Sequence, residues 1–510
     1  MMLGFVEHLP LLIIVSSIIS AITILIAGWI NRKSAWYIST ATILGQFISS
    51  IIILNHILKF GKIHYRLGGW VPPWGIEYVM DELNAYILII LLFLALLCII
   101  YSKRNIEHEL PEKVVSFYTI YQLLITGLCG VVVTGDIFNM YVFIEIFSLS
   151  AYALIASRGK ISLRASFTYL VLGSIGACFF LIGIGFLYAI TGSLNIHDLS
   201  ILLPPFYTNR VIIASFVFIL VGLSIKMALF PLHTWLPDAH AFAPSEISAM
   251  LSGIIIEVST YAFIRVSFSV FTFKFLKILP VMEILSWIAS LAIIFGSIWA
   301  ISQTNLKRML AYSSVANMGY IILALSLSLS SKTSPWGGLT PALMHIANHA
   351  LMKGCLFLTA GAFIYKSNLW FINDFYQLGK RMPYTSGAFV VSAISMIGIP
   401  PSVGFVSKLY IILASIEAKR FIFVGILLLS SLLNLIYFWR VIETMYMKTG
   451  NHKGNSFPSP FPKDEIPIAM LIPIWILAVL CILMGIFWLA KIPMPILDRI
   501  NLLFGLSQKL

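Results

Sequence analysis

Apolar residues in this chain do not alternate with polar ones at strand spacing. They run on for about 20 positions at a time, the length a helix rising about 1.5 Å per residue needs to cross roughly 30 Å of hydrocarbon. About fourteen such runs follow one another, separated mostly by short polar turns. They begin near Leu9, Ala35, Leu83, Lys113, Gly135, Leu163, Asn209, Pro244, Leu276, Lys307, Thr340, Met382, Arg420 and Ile466. The pattern predicts an all-α polytopic membrane protein. The first run, Leu9 to Trp29, has no basic stretch before it and no small-residue cleavage site, so it is read as a span that is kept and not a leader that is removed.

Two runs are interrupted. In SIKMALFPLHTWLPDAH, Pro231 cannot donate to the carbonyl four residues earlier and Pro237 follows soon after. In SMIGIPPSVGFVSKLY, Gly398, Pro400, Pro401 and Gly404 make a second break. Unwound backbone at membrane depth survives only inside protein or beside water, so paired breaks point to a transport path, although a plain proline kink reads equally well for either alone. The breaks fall in the seventh and twelfth runs, five apart. An odd separation inverts the second copy across the membrane, which suggests two inverted five-helix repeats, each with a broken helix and its own lysine, Lys226 or Lys408. The resulting division is a single membrane domain over 1–510, made of three N-terminal helices (1–112), a first repeat (113–271), a second repeat (272–447) and a linker with a C-terminal helix (448–510). Of the longer connections, Lys59–Glu82 is rich in Gly, Pro and Trp and Lys448–Glu465 has linker composition; both read as surface segments, with Trp70 and Trp74 placed at the membrane interface.

Composition agrees with the pattern. Of 510 residues 60% are hydrophobic and 10% charged, against about 25% charged in soluble domains. The net charge of +13 is spread singly through many loops, with no patch of interleaved aromatics, so no nucleic acid is expected. It sets orientation instead: Arg32-Lys33, Arg158/Lys160/Arg164, Lys307-Arg308 and Lys380-Arg381 all follow odd-numbered spans. With these clusters inside the cell, both termini face outward. Cys98, Cys129, Cys178, Cys355 and Cys481 are isolated and form no C-x-x-C pair, which argues against an iron–sulfur or zinc centre in this chain. No Walker loop or strand-flanked G-x-G-x-x-G is present, so neither ATP nor NAD has a seat. No cofactor, metal or catalytic centre is expected, and energy must come from an ion gradient or a partner.

Against this apolar background the ionisable residues stand out, since each costs roughly 2.5–3.5 kcal/mol at membrane depth. Glu145 lies well inside its span, and Lys226 is its expected partner, either as a static pair that fixes packing or as a proton carrier loaded and unloaded by movement of the carboxylate. Glu257 is a third charge within a span, with Tyr261 one turn on. His345, His349 and Lys353 recur every four residues and share one helical face, a spacing of about 6 Å that water can bridge in a relay. Packed core histidines are the alternative. A haem is disfavoured, because two His one turn apart on one helix do not supply opposite axial ligands. His240 is a candidate shuttle between Lys226 and Glu257. Asp238 and Glu246, near the first break, either join that path or satisfy loop backbone. Lys307 and Arg308 read as orientation signals, with Lys307 alternatively linking the two half-paths.

Four stretches carry a family resemblance: TGDIFNMYVFIEIFSLSAYALIA, KMALFPLHTWLPDAHAFAPSEISAMLSG, TNLKRMLAYSSVANMGY, and HIANHALMKGCLFLTAG with GIPPSVGFVSKLY. Through them the chain resembles the antiporter-like subunits shared by the multisubunit Mrp sodium/proton antiporters, respiratory complex I and membrane-bound NiFe hydrogenases. The resemblance covers nearly the whole chain, most of all with the Mrp D-type subunit and relatives in archaeal hydrogenase or sulfur-reductase complexes. It implies fourteen core helices, inverted repeats, a Glu145–Lys226 pair, a central relay at Glu257 and His349, and an exit-side lysine at Lys408. Where many relatives carry lysine in the eighth span this chain has Glu257, and the sequence near Leu510 leaves no room for the long lateral helix of the largest complex I member.

The expected function is therefore ion translocation by a non-redox subunit, moving protons alone or in exchange for sodium, in the plasma membrane of a prokaryote. Its expected partners are the bilayer and other membrane subunits, with iron–sulfur and NiFe-type subunits if the host is a redox-driven respiratory complex. The alternatives are the D-type subunit of a stand-alone Mrp-type antiporter and, less favoured, a self-sufficient solute carrier.

Overall fold

Helix satisfies its own backbone within hydrocarbon, and the computed structural model is built almost wholly of it. The structure describes residues 2–330, 337–447 and 464–506. The helices in chain order are α1 (Met2–Ile30), α2 (Ser34–Phe60), α3 (Glu82–Glu109), α4 (Val114–Val133), α5 (Ile137–Ala156), α6 (Lys160–Thr191), α7 (Ile196–Leu202), α8 (Arg210–Lys226), α9 (Leu236–Phe242), α10 (Ser245–Met250), α11 (Ile256–Arg265) and α12 (Thr272–Ile278). They continue with α13 (Val281–Ser302), α14 (Leu306–Leu327), α15 (Thr340–Ser367), α16 (Leu378–Arg381), α17 (Pro383–Ile397), α18 (Val403–Glu417), α19 (Phe421–Tyr446), α20 (Ile468–Leu489) and α21 (Met494–Leu503). Two π-helical turns, Leu251–Ile255 and Val266–Val270, make α10 and α11 part of one continuous crossing.

Eleven stretches among the described residues are long and apolar enough to span a bilayer. The broken pairs α8/α9 and α17/α18 fall outside that set because each helix is interrupted, and α15 because its polar stripe dilutes its apolar content. Counting these three, the fold is compatible with the fourteen crossings expected. The crossing Ser245–Val270 and helix α14 are almost wholly buried, whereas α1, α2, α6 and α19 keep most of their surface on the outside. Glu257, His345, His349 and Lys353 are therefore carried by central, buried helices.

The segment Lys59–Glu82 is more ordered than its composition suggests. Strands β1 (Ile63–Arg66) and β2 (Glu77–Met80) pair antiparallel, with Ile63 opposite Met80, while Trp70 and Trp74 stay exposed at the tip. Strand β2 runs into Asp81, whose Oδ1 accepts from the backbone N–H of Leu83 and Asn84 at 3.1 Å each, and the Asn84 side chain returns a bond to the Asp81 N–H. This capping box starts α3 at a fixed residue. Of Lys448–Glu465, residues 448–463 lie outside the described residues; Asp464 pairs with Lys366 at 2.7 Å and Glu465 accepts from the Thr385 hydroxyl at 2.8 Å.

Both proline segments sit between helices. At the first break, α8 ends on Lys226, and the Trp235 indole N–H donates to the Ile225 carbonyl at 2.9 Å. At the second, α17 ends at Gly398, whose φ of +94° suits a residue without Cβ. Lys408 on α18 folds back over that glycine, its Nζ donating to the carbonyls of Met396 at 2.8 Å and Ile397 at 3.1 Å. Thus at both breaks a long side chain donates to carbonyls at the end of the interrupted helix, the Ile225 carbonyl also accepting from the Ala228 N–H at 3.1 Å.

Candidate functional site

The expected partners Glu145 and Lys226 meet. Lys226 Nζ donates to Glu145 Oε1 at 2.9 Å and to Ser148 Oγ, one turn on in α5, at 2.9 Å. Lys226 is buried, but the Glu145 side chain remains 25% exposed on the flank of the chain, beside the outward-facing Val142 and Leu149. Behind the pair, Trp235 stacks flat on Tyr169 at 3.8 Å, which fixes the segment that follows the break.

A second constellation occupies the centre. Glu257 Oε1 and His349 Nδ1 lie 2.5 Å apart, and both side chains are buried. The rings of His349 and His345 follow at 6.4 Å, nearly parallel. His345 Nδ1 then bonds Ser407 Oγ at 2.9 Å, and its Nε2 bonds Asn317 Oδ1 at 3.0 Å. Tyr320 closes the sequence: its ring lies 5.3 Å from that of His345 and 5.1 Å from Lys408 Nζ. Glu257, His349, His345 and Lys408 thus form a string in which Glu257 meets His349 directly, the two imidazoles follow at 6.4 Å, and the Tyr320 ring borders both His345 and Lys408. Lys353, one turn beyond His349, donates to the Leu310 carbonyl at 2.7 Å and to the Ser313 hydroxyl.

Among the described residues no hydrogen bond joins the Glu145–Lys226 pair to Glu257. Between them Met227, next to Lys226, packs its sulfur 4.0 Å from the Thr260 hydroxyl. His240 is buried and stacks on Phe357 at 4.5 Å, with both ring nitrogens unpartnered among the described residues. Its charged neighbours include Lys307 and Lys353, which places it toward α14 and α15. Lys307 is itself buried, 1% exposed, and donates to the Ala243 carbonyl at 2.8 Å, so a surface orientation signal is not what it provides. Its neighbour Arg308 does face outward and pairs with Asp238 at 2.8 Å.

Sequence reasoning passed over two clusters. Near the basic connections, Arg158 pairs with Glu109 and shares the Ala243 carbonyl with Lys307, while buried Glu246 accepts from Asn105 at 2.8 Å. On the hairpin face, Arg265 forks onto Asp81, both bonds at 2.8 Å. The signal for the second was present: an arginine inside an apolar run, and an aspartate three residues before an asparagine, in D-E-L-N, at capping-box spacing. Among the described residues no three His, Cys, Asp or Glu side chains converge as a metal site. What the arrangement offers is proton exchange between buried acids, imidazoles and amines.

Residues 134–434 match the family described as NADH:quinone oxidoreductase/Mrp antiporter, TM. The N-type subunit of the NADH-quinone oxidoreductase of Desulforudis audaxviator is 41% identical, over 94% of this chain and 96% of that one. The D-type subunit of the Na(+)/H(+) antiporter of Bacillus subtilis is 31% identical, over 88% and 87%. Among solved structures, a chain of the membrane-bound sulfane sulfur reductase, an archaeal respiratory membrane complex, superposes with a TM-score of 0.86 at 30% identity over 97% of each chain. A multi-pass helical chain with breaks beside Lys226 and Lys408, matched along nearly its whole length, belongs to the transmembrane NADH:quinone oxidoreductase/Mrp antiporter family.

Proposed function

We propose that this chain is the non-redox, ion-translocating subunit of a larger membrane complex, and that it carries protons along Glu145, Lys226, Glu257, His349, His345 and Lys408. The observation that carries the reading is the string from Glu257 to Lys408, in which Glu257 meets His349, His345 follows at 6.4 Å, and the Tyr320 ring borders both His345 and Lys408. A packed structural core has no need of so many titratable groups in register, each of which is costly in hydrocarbon. Lys353, His240 and Lys307 form a side branch toward the basic connections, where Lys307 links the two halves. The Met227–Thr260 contact is the dry step of the line, and so the step that a change at the Glu145–Lys226 pair would open or close. Glu145 faces the flank of the chain, where a charge against lipid is costly and a neighbouring subunit would cover and move it.

The host is inferred to be a redox-driven respiratory complex of hydrogenase or sulfur-reductase type, with iron–sulfur and NiFe-type subunits alongside. Identity of 41% to a quinone oxidoreductase subunit and the likeness to a sulfur reductase chain support it. The 31% identity to a D-type antiporter subunit supports the second reading, a stand-alone sodium/proton antiporter. The location follows as the plasma membrane of a prokaryote with the basic connections inside and both termini outside, and the inverted repeats as 113–271 and 272–447. Mass spectrometry of the gently solubilised complex separates the hosts: redox subunits co-purify in the first, small membrane subunits alone in the second. For the path, Lys226→Ala and Glu145→Ala are expected to abolish driven transport in vesicles while the complex still assembles. Wild-type transport in both variants would reject the relay.

A further inference from the structure

The hairpin face holds a cavity of about 480 Å³ that none of the proposed relay uses. Its rim carries exposed Lys62, His64, His197 and Lys274, which marks it as open to water, and its floor is the buried Asp81–Arg265 pair. Arg265 holds that floor with all three of its nitrogens. Two bond Asp81, one of these also reaches Asn84 Oδ1 at 2.5 Å, and Nε donates to the Tyr261 hydroxyl at 3.3 Å. Tyr261 donates in turn to the Val132 carbonyl at 3.0 Å.

Glu257, Tyr261 and Arg265 are spaced by four and share one face of α11, so Glu257 lies about 6 Å along the axis below Tyr261. On α3, Asp81, Asn84, Ile87 and Leu91 follow at spacings of three and four, polar at the cavity and apolar deeper. A second void of about 10 Å³ lies against Glu257, lined also by Ile87, Ile90, Leu91, Ile254 and Ile346, and Glu257 Oε2 has no partner among the described residues. A water needs about 10–15 Å³ and two to four polar partners. This void is at the lower limit of size and offers one carboxylate, so it is dry.

We propose that the hairpin-face cavity is an aqueous proton port for Glu257, closed in this conformation by Tyr261, Ile87 and Leu91 beneath the Asp81–Arg265 pair. The port gives the middle of the line its own access to the hairpin side, separate from Lys408. When Arg265 and Tyr261 swing aside, water enters the small void. A protonated Glu257 then transfers its proton to that water, becoming carboxylate, and the hydronium charge passes by Asp81 into the cavity; uptake is the reverse. An ion pair that only locked α3 to α11 would have no use for an open cavity above it and a partnerless carboxylate oxygen below. The inference rests on the reading of Glu257 as a proton carrier.

The test uses the full chain in its intact complex in sealed vesicles, probed with a membrane-impermeant thiol reagent and mass-spectrometric mapping. Ser269→Cys, on the cavity wall, is expected to label from the hairpin side at rest. Ile87→Cys is expected to be protected at rest and labelled during turnover. The paired neutral variant Asp81→Asn with Arg265→Gln should raise passive proton leak several-fold and expose Ile87→Cys at rest, and adding Glu257→Gln should suppress the leak. Failure of Ser269→Cys to label, or an Ile87→Cys that stays protected in turnover and in the neutral variant with no added leak, would overturn the port while leaving the line intact. Wild-type driven transport in Glu257→Gln would instead overturn the line itself.

Discussion

His349→Ala removes the single partner of a buried carboxyl group. Glu257 Oε1 accepts its one bond from His349 at 2.5 Å, Oε2 has none among the described residues, and the side chain is 3% exposed. The variant thus strands the whole group, and it interrupts the string where the next imidazole, His345, lies a further 6.4 Å on. A hydrogen bond to a charged group is worth about 1.5–3 kcal/mol, and leaving such a group unsatisfied costs at least as much. Taking about 3 kcal/mol as the rise in the barrier to moving charge through this point, and about 1.36 kcal/mol per decade, driven transport should fall about hundredfold. The assay is proton uptake by vesicles carrying the intact complex, with co-purification of the partner subunits as the control for assembly. His349→Gln restores a donor but holds no transferable proton, so it should recover the stability of the complex without recovering transport. Wild-type transport in His349→Ala, or full rescue by glutamine, would refute the relay role and leave His349 as a packing residue.

Gly398→Ala tests the second break: at φ +94° the new Cβ would sit 3.2 Å from Lys408 Cδ, so about 1–3 kcal/mol of strain is expected, read as a lower melting temperature together with slower transport. An unchanged variant would mean that Lys408 does not depend on its perch over the glycine. On the hairpin, His64 at 3.6 Å is the main reason the Glu77 carboxyl sits below its ordinary 4.5, with Asn195 and Arg66 assisting and burial opposing. A depressed folded value means that the stabilisation is present above the unfolded value and lost as pH falls through the folded one. Amide protection of Ile63–Arg66 should therefore decline on the acid side of pH 4.5 in the wild type and stay flat in Glu77→Gln; equal profiles would remove Glu77 from the account.

Much of the fold is legible in the sequence because the bilayer imposes a single length on every crossing. The two breaks are equally plain, since Pro231 and the Gly398 to Gly404 stretch stop a helix by local chemistry alone. The Glu145–Lys226 pair follows from cost: two charges of opposite sign, each within a span, have few other ways to be satisfied. The rest depends on contacts that no local pattern reports. Asp81 and Arg265 are 184 residues apart: the capping aspartate and the arginine inside an apolar run are each legible alone, but their pairing is not. Lys307 sits in a helix start that resembles an orientation signal, and only the packing of α14 against the α9/α10 turn reveals that it is buried. His240 lies near the first break in sequence, but its stacking on Phe357 and its neighbours Lys307, Lys353 and His349 come from helix packing that no local pattern reports. The strands within Lys59–Glu82 are hard to read because their alternation is four residues long and broken by glycines and prolines.

The central claim is that charge crosses this chain through the Glu257–His349 junction. Driven proton uptake by vesicles containing the complete complex, with Glu257→Gln compared against wild type at equal assembly, tests it most directly. Glutamine keeps the shape and the hydrogen-bonding reach of the side chain but holds no transferable proton. The account requires transport to be lost in that variant; uptake at the wild-type rate would contradict it.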